Sequence, residues 1–149
     1  MTLLLLLPLF LQALAMFFDE FVFHRARGLP RWERLGHPLD TLTVAVCYGW
    51  LVSTPPTRAH AVAVYVVLCA FSCLFITKDE FVHARLCKPA EAWLHAVLFV
   101  LHPAVFLALG IIWMRGGNEW IPKAVLGATL AMMMYQLIYW SPRWHWGDK

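Results

Sequence analysis

Asp19-Glu20-Phe21-Val22-Phe23-His24 closes one long apolar run, and sixty residues on Asp79-Glu80-Phe81-Val82-His83 closes another. A short basic loop follows each, carrying Pro30 or Pro89. Beyond it comes a second acid–imidazole pair: Glu33 and His37 in the first copy, Glu91 and His95 in the second. The chain therefore reads as two helical hairpins whose charged turns lie at one level. Four glutamates and four histidines gather there, and what surrounds them decides both fold class and chemistry.

What surrounds them is apolar. Of 149 residues, 61% are hydrophobic and 14% charged, with a mean hydropathy of +0.64. That leaves too little polar surface to cover a soluble domain. Apolar runs at 2–18, 61–77, 92–114 and 124–140 have membrane-spanning length. A fifth, 39–52, reaches that length only if its helix starts near Arg31. The pattern predicts an all-α integral membrane protein with five transmembrane helices in a single domain, 1–149. The first repeat covers 1–53, the second 59–114, and an extra helix 119–141. Two hairpins running in the same direction predict an antiparallel four-helix bundle, with the fifth helix peripheral. Thr54-Pro55-Pro56-Thr57 and Gly116-Gly117-Asn118 punctuate the outer connections. The first run has no basic leader and no small-residue cleavage site before Asp19, so it reads as a retained helix and not a signal peptide.

Loop charges set the expected orientation. With the N-terminus outside, the inner segments hold Arg25, Arg27, Arg31, Arg34, Lys78, Arg85, Lys88, Arg143 and Lys149, against Arg58, Arg115 and Lys123 outside. Nine against three predicts N-out, C-in, in a bacterial-type inner membrane, with both charged loops at the cytoplasmic face. The net charge of +3 follows from this topology and gives no reason to invoke nucleic acid. Trp113 and Trp120 on one side, and Trp32, Trp93, Trp140, Trp144 and Trp146 on the other, read as headgroup anchors. Cys47, Cys69 and Cys73 lie in apolar runs and Cys87 in a loop; all four read as thiols without a bonding role.

Residues three or four apart share a helix face. Glu20 with His24, Glu33 with His37 and Asp40, Glu80 with His83, and Glu91 with His95 and His102 thus form four stripes. Each must face the bundle interior, because facing lipid costs several kcal/mol per charge. These ten residues are the predicted metal ligands, with Asp19 and Asp79 placed outside the ligand set. Clustered carboxylates repel unless cations neutralise them. Mixed oxygen and nitrogen donors in this number predict two iron ions, with room for a third metal such as zinc. The ligand chemistry is similar to that of ferritin-like di-metal bundles, although three of the four pairs here are Glu-x-x-x-His. The expectation is a membrane-embedded, polynuclear, iron-dependent oxidoreductase acting with oxygen or peroxide on a lipophilic small molecule from the lipid bilayer. The competing expectation is a non-enzymatic metal sensor, carrier or transporter. Bis-histidine haem ligation is disfavoured by the acid beside every histidine.

Overall fold

A computed structural model describes residues 2–116 and 119–140. The expected turn at Gly117-Asn118, the anchors Trp144 and Trp146, and the charges of Arg143 and Lys149 lie outside the described residues. Five helices account for the described chain. Helix α1 runs over Thr2–Phe18, continues through a π-helical segment, Asp19–His24, and ends with the turn Arg25–Arg27. Gly28 stops it with φ 75°, a left-handed conformation that glycine adopts without steric cost. Helix α2 spans Arg31–Ser53, so the polar start does belong to it and the helix extends well beyond the apolar run. Helix α3 covers Ala61–Phe75, tightens into a 3₁₀ turn at Ile76–Asp79, and resumes over Glu80–Leu86. Helix α4, Pro89–Arg115, starts on a proline whose missing N–H costs nothing there. Helix α5 is Trp120–Tyr139.

Four of these helices are long and apolar enough to cross a membrane: Leu3–Arg27, Ala61–Leu86, Pro89–Arg115 and Trp120–Tyr139. The surface is inverted relative to a water-soluble protein. Leu3, Phe10, Leu74, Phe81 and Val100 stand exposed, whereas Asp19, Glu20, Glu33, Asp79 and Glu91 are buried. Water penalises an apolar coat of that extent, and hydrocarbon does not.

The closest packing is between α2 and α5 and between α1 and α4, with further contacts of α3 on α2 and on α4. The expectation of a peripheral fifth helix is therefore corrected. Its C-terminal half also reaches the end of α1, where Tyr135 packs on Phe21 and accepts a hydrogen bond from Arg25, whose guanidinium also lies over Tyr139. Helix α5 thus occupies the space between α1 and α2. The reason is polar: Gln136 and Trp140 have buried partners there, which a lipid-facing helix cannot supply.

At the pole away from the charged turns, Cys47, Tyr48, Leu51, Tyr65, Phe106, Leu109 and Trp113 form a closed apolar core. Two of its polar groups are paired with backbone carbonyls. Tyr65 donates to the Phe106 carbonyl at 2.8 Å, and Trp113 donates to the Thr54 carbonyl at 2.9 Å. Trp113 is thus a buried core residue and not a headgroup anchor. The Tyr65 ring lies where a side chain on Gly110 would stand, at 3.0 Å from an added Cβ. Because the ring is fixed by its hydrogen bond, Gly110→Ala should overpack this pole. The overpacking outweighs the gain in helix propensity, for a net loss of about 1–2 kcal/mol. Thermal unfolding in detergent measures it, and a stabilised variant would show that the ring yields.

Candidate metal centre

The end of α1 delivers three side chains to one place because its helix widens. In a π-helical turn the backbone bonds from i to i+5, so residues four and five positions back both face a given side chain. Asp19 Oδ2 accordingly lies 3.4 Å from His24 Nε2, and Glu20 Oε2 lies 3.6 Å from His24 Nδ1. Glu20 is gripped from α5, with Trp140 Nε1 donating to one carboxylate oxygen and Gln136 Nε2 to the other at 3.4 Å. Gln136 is in turn held by Thr41 of α2, at 2.8 Å.

The second copy is tightened, not widened. Its 3₁₀ turn rotates Asp79 inwards and leaves Glu80 exposed. Asp79 accepts from Trp32 Nε1 at 2.9 Å and from Lys78 Nζ at 2.9 Å, and Lys78 reaches Asp40 at 2.6 Å. Gly36 makes room: a Cβ there would lie 3.3 Å from Asp79 Oδ1.

Four histidines from four helices form a closed ring at this level. Ring centroids are 4.7 Å apart for His24 and His37, 6.4 Å for His37 and His83, 4.1 Å for His83 and His95, and 6.2 Å for His95 and His24. Both ring nitrogens of His24 and of His83, and Nε2 of His37, are buried without a hydrogen bond. Buried polar atoms are rarely left so, since each costs about 1–3 kcal/mol. Ligand atoms within 4.8 Å of one another define the candidate groups Asp19/His24/Glu91/His95, His24/Glu33/His37, His37/Asp40/Asp79 and His83/Cys87/His95. The first and third share no residue, so two cations can be held at once.

Six carboxylates converge here: Asp19, Glu20, Glu33, Asp40, Asp79 and Glu91. Two permanent cations answer them. Arg27 donates to Glu33 at 2.7 and 3.3 Å and to Glu91 at 3.1 Å, and Lys78 bridges Asp40 and Asp79. Six carboxylates outnumber the cations bonded to them. Divalent cations would offset the excess, and the orphaned imidazole nitrogens are the donors such ions take. A cavity of about 450 Å³ adjoins the cluster, lined by all five helices and mostly by apolar side chains such as Leu9, Val44, Leu98, Val125 and Met132.

Of the predicted ligands, Glu20, His24, Glu33, His37, Asp40, His83, Glu91 and His95 fall within this assembly. Glu80 does not, and Asp19 and Asp79, placed outside the ligand set on α-helical arithmetic, enter it instead. His102 stands apart: Ser72 Oγ meets its Nε2 at 3.1 Å, and Ser72 is itself bonded to Thr43. Trp32 and Trp140, read as anchors, donate to Asp79 and Glu20. Cys87, read as a thiol without a role, lies beside His95. Its signal was the four-residue spacing from His83. Burial, with the Glu91 charge beside it, pushes the Cys87 thiol up to about 12.

These features define a helical protein with four helices long and apolar enough to cross a membrane and a buried carboxylate–histidine cluster that could hold metal. No protein-family model, curated protein or solved structure matches the chain, so its chemistry is argued from its own residues.

Arg27 is the joint between Glu33 and Glu91. Arg27→Gln leaves two buried carboxylates without their cation, at a cost of about 3 kcal/mol or more in metal-free protein. Added divalent cation should restore part of the loss, as read by thermal unfolding with and without chelator. Equal stability of variant and parent under both conditions would mean that the two acids are neutral without Arg27.

Proposed function

We propose that this chain is an integral membrane metalloprotein whose cluster holds at least two transition-metal ions, iron among them. We further propose that it acts as an oxidoreductase with oxygen or peroxide on a lipophilic substrate. The carrying observation is the convergence of six carboxylates on a ring of four imidazoles, five of whose nitrogens are buried without a hydrogen bond. Asp19, His24 and Glu91 would hold one ion, with His95 bonded to Asp19, and His37, Asp40 and Asp79 a second, with Glu33 between them. Glu20, fixed by Trp140 and Gln136, orients His24. Carboxylate and imidazole donors suit iron or manganese better than soft metals. Iron bound there would supply redox equivalents and a position for oxygen. The chain's own part is to exclude bulk water, keep the donors in place and offer the apolar cavity to a substrate from the bilayer.

That cavity favours the oxidoreductase over a transporter. Ion transport needs polar groups along the whole path, whereas the far pole is closed by Tyr65, Phe106 and Trp113. The preferred topology is N-out and C-in, with α2 as a fifth span and the cluster near the cytoplasmic face, on the nine-to-three distribution of basic residues.

Elemental analysis of protein purified without added metal should find at least two ions per chain, with iron present. Asp79→Ala and His37→Ala should lower metal affinity by roughly 10–100-fold or more, while Glu80→Ala, altering an exposed acid, should leave it unchanged. A Glu80 variant that loses metal alongside an intact Asp79 variant would reverse the assignment, and one ion or fewer at saturation would end the polynuclear reading.

Reporter fusions address topology separately. A reporter near Pro55-Pro56 should be active outside and one after Lys149 inside; the opposite pattern would move the cluster to the outer face.

A further inference from the structure

Cys87 stands at the edge of the carboxylate cluster, beside Glu91. It follows α3 in the short loop to α4, half-buried, with Sγ 3.9 Å from His95 Nδ1. His83, one helical turn earlier, is 7% exposed, and neither of its ring nitrogens has a hydrogen-bond partner. One atom each from His83, Cys87 and His95 falls within the same 4.8 Å span. His95 is oriented for this side. Its Nε2 meets Asp19 Oδ1 at 2.9 Å, which leaves Nδ1 turned towards the thiol. A carboxylate that accepts one imidazole N–H fixes the tautomer and frees the opposite nitrogen for a metal.

We propose that His83, Cys87 and His95 form a thiolate site for zinc at the edge of the cluster, separate in metal preference from the carboxylate groups. One thiolate and two imidazoles suit tetrahedral zinc and leave a fourth position open. On binding, Cys87 gives its proton to solvent and the thiolate sulfur bonds the ion. His95 then serves zinc through Nδ1, and the neighbouring ion keeps Asp19 Oδ2, His24 and Glu91. The ligands of this site stand on their own geometry; only the presence of a neighbouring iron rests on the function proposed above.

Metal analysis and cobalt(II) substitution of the full-length protein in detergent test it. Wild type should carry one zinc per chain besides iron. Its cobalt form should show a near-ultraviolet thiolate-to-cobalt band. Cys87→Ser should lose that band and one zinc while keeping its iron, and His83→Ala should do the same, so that a folding defect in one variant does not decide the matter. Unchanged zinc and an unchanged cobalt spectrum in Cys87→Ser would overturn the site. So would parallel loss of zinc and iron in both variants, which would make the cluster one indivisible unit. Zinc held through Cys87 in a protein that never binds iron would uphold this site and overturn the iron reading alone.

Discussion

Six carboxylates packed among imidazoles, inside a bundle whose outside is apolar, form the constraint on which the rest of the structure depends. Two like charges about 4 Å apart repel by about 4 kcal/mol at an effective dielectric of 20. A few such pairs match the whole stability of an ordinary domain, about 5–15 kcal/mol. Helices coated with Leu3, Phe10, Leu74 and Val100 offer these six acids little solvated face, although Glu80 at the end of α3 does stand exposed. Every departure from regular helix in this chain occurs where that conflict is sharpest. Asp19–His24 widens, Ile76–Asp79 tightens, and Arg27 folds back from the end of α1 onto Glu33 and Glu91.

The two copies of the motif resolve the conflict differently, and α5 explains why. Glu20 is buried because α5 brings Trp140 and Gln136 to its two oxygens. Glu80, by contrast, is exposed. A buried carboxylate requires donors, so the single helix without a repeat partner decides which of two matching glutamates enters the interior. In the second copy Asp79 takes the interior position, held by Lys78 and Trp32.

Much of this was readable from residues alone. Long apolar runs specify helices whatever their surroundings, and Glu33-His37-Asp40 and Glu91-His95 lie in regular α-helix, where spacing and face agree. Spacing failed where the helix changes type. Asp19 and Asp79 were assigned by a 3.6-residue turn that neither segment possesses, and nothing in Asp-Glu-Phe-Val distinguishes a π turn from a 3₁₀ turn. The roles of Arg27, Lys78, Trp140 and Gln136 depend on partners 6 to 120 residues away or on a neighbouring helix, which periodicity does not encode. His102 was misplaced for the converse reason, since its partner Ser72 sits thirty residues away on α3 and carries no motif. The four-residue spacing of His83 and Cys87 is visible in the sequence, whereas the approach of Cys87 to His95 is not.

The cluster has two unlike sides, and this shapes what the protein can admit. On the loop side stand Arg27 and Lys78, partly exposed, each straddling two carboxylates. On the other side the imidazoles face a cavity walled by aliphatic residues of five helices, with no charged group beyond the cluster itself. An ion gains nothing on that side and an apolar molecule loses nothing. The cluster is thus bounded by an apolar cavity wall, and a closed core around Tyr65 and Trp113 fills the far pole.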